Sequence, residues 1–105
     1  MQPSEPVGID QVIIDRILEF VDSVVSEDAE VWLTGSRVRG AARPDSDWDV
    51  AAFHWAAPKE LFLSNQHSDF TLCGGKIELV IARPEHWNDQ CRYMEELRRS
   101  GIRLR

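Results

Sequence analysis

The segment that most constrains this chain is an apolar run that stops at a glycine–serine step and restarts behind two acids. Val31-Trp32-Leu33 is short and wholly apolar, the pattern of a strand buried on both faces. It ends at Thr34-Gly35-Ser36, a turn of small residues, and a helix-compatible stretch follows. Pro44-Asp45-Ser46 forms a second turn, and Trp48 to His54 reads as another strand. Strand, turn, short helix, turn and strand are thus written into about two dozen residues.

The flanks complete the architecture. Ile9, Val12, Ile13, Ile17, Phe20, Val21 and Val24 recur at three- and four-residue spacing, which predicts an amphipathic helix of about four turns closed by Ser26-Glu27-Asp28. Pro58 to Leu63 reads as a short helix. Phe70 to Cys73 and Lys76 to Ala82 are β-prone runs joined by Gly74-Gly75, a hairpin signal. Pro84 suits a first helical turn. Trp87, Cys91, Met94 and Leu97 then give one helix a buried stripe as far as Ser100-Gly101, and Ile102-Arg103-Leu104 reads as a short edge strand. The expected fold is α/β, a small mixed β-sheet covered by helices, in a single domain over residues 1–105.

The Gly35-Ser36 turn places a serine hydroxyl where a helix N-cap would sit. Gly35 has no Cβ, so another group can approach its backbone. Amides free at a helix start suit a phosphate, and Arg37, Arg39 and Arg43 add positive charge. Taken alone, this half reads first as an ordinary capped turn.

Asp47 and Asp49 are two apart at the start of a strand, so their side chains share a face. Side-by-side carboxylates repel each other and disfavour the strand, and a bound cation would offset that repulsion. Mg²⁺ is a hard ion that takes oxygen ligands from one or two carboxylates and substrate phosphates. The spacing alone also fits a solvated aspartate-rich turn. Glu78 adds a third acid, in the apolar run Lys76 to Ile81. A carboxylate there is costly unless paired, protonated or metal-bound. With this strand beside the Asp47–Asp49 strand, three acids converge on one face and suit two-metal phosphoryl or nucleotidyl transfer. Without that neighbour, Glu78 reads as an ion-pair partner at the sheet edge.

The net charge of −6 and pI near 4.9 argue against direct nucleic-acid binding, which needs surplus Lys and Arg. The acid-rich first thirty residues and arginine-rich tail are consistent with solvated helix faces or with self-association into a homo-oligomer. No apolar stretch approaches the ~18 residues of a membrane span. The start, Met-Gln-Pro-Ser-Glu-Pro, lacks the pattern of an export signal, so a cytoplasmic location is expected. Cys73 and Cys91 make neither a disulfide framework nor a metal spacing, and the three histidines lie near no cysteine at zinc-site spacing. Trp48 or Trp55 is placed to border a base pocket, or else belongs to the core and its rim.

Gly35-Ser36, Gly40 and Ser46-Asp47-Trp48-Asp49, with an acid on a later strand, resemble the signature of the DNA polymerase beta-type nucleotidyltransferase superfamily. The Gly-Ser-Arg-x-Arg-Gly wording and the closing Gly101-Ile102-Arg103-Leu104 resemble the minimal nucleotidyltransferases in particular. The resemblance implies that Gly35, Ser36, Arg37 and Ser46 contact a nucleotide, most plausibly ATP. It implies that Asp47, Asp49 and Glu78 are catalytic and hold two Mg²⁺ ions. Glu78 stands where the family usually has Asp, which bears on activity more than on fold. The implied activity is AMP transfer to an acceptor hydroxyl. A chain of this size leaves the acceptor to another molecule, and the implied partner is a small helical HEPN-type protein in a toxin–antitoxin pair. The alternative is a catalytically weak module of the same fold that neutralises a partner by contact.

Overall fold

The computed structural model describes residues 9–40, 43, 46–57, 62–64, 71–72 and 75–105. Helix α1 (Gln11–Val24) opens on Asp10, whose carboxylate accepts a hydrogen bond from the Ile13 amide at 3.1 Å. The cap satisfies one of the amides that a helix start leaves free. Ile13, Ile17, Phe20 and Val21 form its buried stripe. Val12, which the spacing also assigned to the stripe, is 66 % exposed. One residue from Ile13 is about 100° around the helix, enough to turn the side chain out to water.

Strand β1 (Glu30–Thr34) leads through Gly35 into the single-turn helix α2 (Ser36–Arg39), and strand β2 (Trp48–Phe53) follows. The turn ahead of β2 is closed by the Ser46 amide, which donates to the Arg43 carbonyl at 3.0 Å. Its expected central residues, Pro44 and Asp45, lie outside the described residues. Strands β3 (Phe62–Ser64), β4 (Thr71–Leu72), β5 (Gly75–Ala82) and β6 (Ile102–Arg103) complete one six-stranded mixed sheet. Its order is β3-β5-β2-β1-β6, with β4 also pairing β5. β2 and β5 run parallel, and every other pairing is antiparallel.

The sheet is covered on both faces, and β2 lies in its middle. Val50 and Ala52 join Val31, Leu33, Ile77 and Leu79 against α1. Ala51 and Phe53 face the other way, with Ala82, against Met94 and Leu97 of helix α3 (Arg92–Ser100). A parallel strand pair covered on both sides reads as near-continuous apolar sequence, as β2 does from Val50 to Phe53. Trp32 and Trp87 close the rim on the α3 side, with ring centroids 4.7 Å apart.

Three expectations are corrected. Phe62 and Leu63, read as helix, lie in β3, where Phe62 pairs with Ile81 of β5; residues 58–61 lie outside the described set. Leu72 pairs with Gly75, so Gly75 is the first residue of β5 and not half of the turn; Gly74 lies outside the described residues. The single helix read from Pro84 to Ser100 is two elements, a 3-10 turn (Pro84–Asn88) and α3. Asp89 and Cys91 between them are extended. The Asp89 carboxylate is held by His86 at 2.8 Å, and the Arg98 guanidinium donates to the Trp87 and Asp89 carbonyls. These contacts fix the break and let α3 turn back over the sheet. No helix among the described residues is long and apolar enough to cross a membrane.

Candidate active site

The site begins where β1 runs out. Gly35 has φ +87°, which L side chains rarely adopt. A Cβ built there would lie 2.1 Å from Asp49 Oδ2. Gly35 is therefore required twice, for the left-handed turn and for the carboxylate packed against it. Its carbonyl accepts the Val38 and Arg39 amides at 3.1 and 3.2 Å. Gly35, not Ser36, thus occupies the N-cap; Ser36 is the first helical residue and no side chain caps the helix.

Arg37 points away from solvent. It is 5 % exposed, its guanidinium lies 4.1 Å over the Trp48 ring, and Nη2 donates to the Ser46 carbonyl at 2.7 Å. The sequence placed Arg37 at the nucleotide. The structure instead spends it on holding the loop that delivers Asp47 and Asp49 into β2. Gly75 makes that clasp possible, because a Cβ there would meet the Ser46 carbonyl oxygen at 2.0 Å and Arg37 Nη2 at 2.9 Å. Ser46 serves the same loop, its hydroxyl accepting the Arg43 amide at 2.8 Å. Trp48 is fully buried on the α1 face and Trp55 is 73 % exposed; neither lines the cleft beside Asp49.

The acids come together across the parallel pair. Asp49 of β2 is in register with Glu78 of β5 on one side and with Thr34 of β1 on the other. Asp47 lies one residue before β2. Its interaction with the Glu78 carboxyl, then burial and the charges of Asp49 and Asp47, push Glu78 above its usual range. Burial, reinforced by Asp47 and Glu96 and opposed by Arg39, lifts Asp49 from 3.8 to about 6. Among the described residues no Lys or Arg pairs with Glu78.

These donors suit a hard cation: they are oxygens only and crowded enough to repel. Among the described residues no three His, Cys, Asp or Glu side chains are gathered tightly enough to hold a metal as they stand. The fit is one of charge and donor type, and a phosphate's oxygens would have to complete it.

A cleft of about 420 Å³ opens beside Asp49, between Gly35 and α3. Arg39 of α2 and Glu96 of α3 form an ion pair and both line it, as do Arg92 and Tyr93. The α3 contributors were not singled out in the sequence. From α3 the apolar spacing picks out only the Trp87–Leu97 stripe, and Tyr93 packs beside that stripe on the same cluster. Burial, and then the charges of Asp49 and Glu78, raise the Tyr93 hydroxyl well above its usual range.

The model of one protein family, the nucleotidyltransferase domain, matches residues 14–99, from α1 through α3. No curated protein matches the chain.

Proposed function

Because this chain belongs to the nucleotidyltransferase-domain family, we propose that its three-acid cluster transfers AMP from ATP to a hydroxyl on a partner protein. The observation that carries this reading is the register of Asp49 with Glu78 beside Gly35, with Asp47 one residue ahead of β2. Nucleotidyl transfer is the family's chemistry. The nucleotide, the cation and the acceptor are our reading.

Asp47 and Asp49 would hold Mg²⁺, with Glu78 beside them. When bound, the cation would offset the carboxylate repulsion and polarise the α-phosphate. Gly35, with no Cβ, leaves room for phosphate at the start of α2, where the Ser36 hydroxyl is available. Arg39 and Arg92 put positive charge on the cleft wall. The acceptor oxygen attacks the α-phosphorus, the bond to the β-phosphate breaks, and pyrophosphate leaves. Glu78 accepts the proton of the attacking hydroxyl. The partner we favour is a small helical HEPN-type protein, on the strength of the Gly-Ser-Arg-x-Arg-Gly wording, which makes the chain an antitoxin that acts by modification.

Co-expression with the product of the neighbouring reading frame, followed by mass spectrometry, tests the proposal. It expects AMP on a partner hydroxyl, lost in Asp47→Asn. The second reading, neutralisation by contact alone, is favoured by Glu78, one methylene longer than the Asp usual at this place in the resembling family. It expects a tight complex with an unmodified partner.

A further inference from the structure

Two hydroxyls in the cleft wall lack partners. Thr34 Oγ1 and the Tyr93 hydroxyl are both shut away from water, and neither meets a hydrogen-bond partner among the described residues. Thr34 is only 4 % exposed, and both residues line the cleft beside Asp49. A buried hydroxyl without a partner is costly, and native proteins leave few such groups without a reason. Both flank the same carboxylate: Thr34 is in register with Asp49, and Tyr93 lies within reach of the Asp49 and Glu78 charges.

Three parts of the reaction radiate from an α-phosphate held at Asp49: the departing pyrophosphate, the acceptor in line with it, and the sugar. The Gly35–Ser36 turn takes the polyphosphate side in the reading above. An acceptor carried by another protein has to enter from the open side. The sugar is left for the covered wall under α3. The chemistry agrees, because Thr and Tyr hydroxyls both donate and accept, as sugar hydroxyls do. A phosphate takes donors alone, so it uses only half of what these hydroxyls offer and is better matched by Arg39 and Arg92.

We propose that Thr34 and Tyr93 form the sugar subsite, hydrogen-bonding the ribose hydroxyls and selecting ribonucleotides over deoxyribonucleotides. The proposal rests on the nucleotide reading of the site. Tyr93 is half-buried on α3 and lines the same cleft as Thr34.

Calorimetric titration of the full chain with ATP, 2′-deoxyATP and 3′-deoxyATP in Mg²⁺ tests it, with Tyr93→Phe and Thr34→Val as variants. Both substitutions keep the side-chain shape and remove an unpaired hydroxyl, so both variants fold, with melting temperatures equal to or above the parent's. The parent binds ATP about five- to tenfold more tightly than at least one deoxy analogue. At least one variant loses that preference, binding ATP no better than the parent binds the analogue. Equal binding of all three nucleotides by the parent overturns the sugar subsite and leaves the nucleotide reading standing. Variants that weaken all three equally also overturn it, since the hydroxyls then contact phosphate or base. No binding of any nucleotide overturns the nucleotide reading and the subsite together.

Discussion

Gly35 lies so close to Asp49 that the hydrogen in place of a side chain is what admits the carboxylate, a Cβ there falling 2.1 Å from Oδ2. The turn ending β1 and the acid on β2 are therefore one construction. Gly35→Ala combines a strained φ of +87°, costing about 1–2 kcal/mol, with displacement of Asp49. A melting temperature lowered by about 5–10 °C, with ATP affinity reduced more than in Ser36→Ala, is the expected result.

Asp49 makes apo stability depend on pH. Its carboxyl is raised from 3.8 to about 6, first by burial and then by Asp47. The folded chain thus holds this proton over a range where the unfolded chain has lost it. Stability is fullest below 3.8, falls as pH rises through that window, and levels off above about 6. The group is only partly shielded, so solvent screening reduces the effect to the order of 1 kcal/mol. Urea melts between pH 4 and 7 should show this fall in the parent and a flatter profile in Asp49→Asn.

Arg37 acts through the fold. Arg37→Lys loses the planar stack on Trp48 and the fork that reaches the Ser46 carbonyl. We expect a loss of about 2 kcal/mol, read from the urea midpoint. The larger effect on stability than on ATP affinity sets this arginine apart from Arg39 and Arg92.

Much of this was legible in the sequence because local pattern decided it. The stripe of α1, the buried run of β1, the Gly-Ser step, the two acids and the edge strand β6 all follow from spacing or turn chemistry. What was not legible depended on which strands become neighbours. Arg37 reads as a phosphate ligand until Trp48 and Ser46 are seen to enclose it. Gly75 reads as a turn residue until its strand packs on the Ser46 carbonyl. Leu63 reads as helix until β5 offers β3 a free edge. Thr34 and Tyr93 carried no signal, since an orphaned hydroxyl exists only once the rest of the wall is built.

Glu78→Gln separates folding from chemistry. The amide removes one of three neighbouring carboxyl charges, so the melting temperature is unchanged or higher. Transfer to a co-expressed partner, followed by mass spectrometry, should be lost. Glu78→Asp shortens the arm and restores the residue usual in the resembling family, so transfer is preserved or faster.

In the proposed reaction Asp47 and Asp49 bind nucleotide through a divalent cation. Calorimetric titration of ATP into the parent and Asp47→Asn, each with Mg²⁺ and with EDTA, tests it most directly. The account predicts binding by the parent in Mg²⁺ alone, and none by Asp47→Asn, which should melt at or above the parent temperature because a repulsion is gone. ATP affinity that is the same in EDTA, or unchanged in the folded Asn variant, would contradict it.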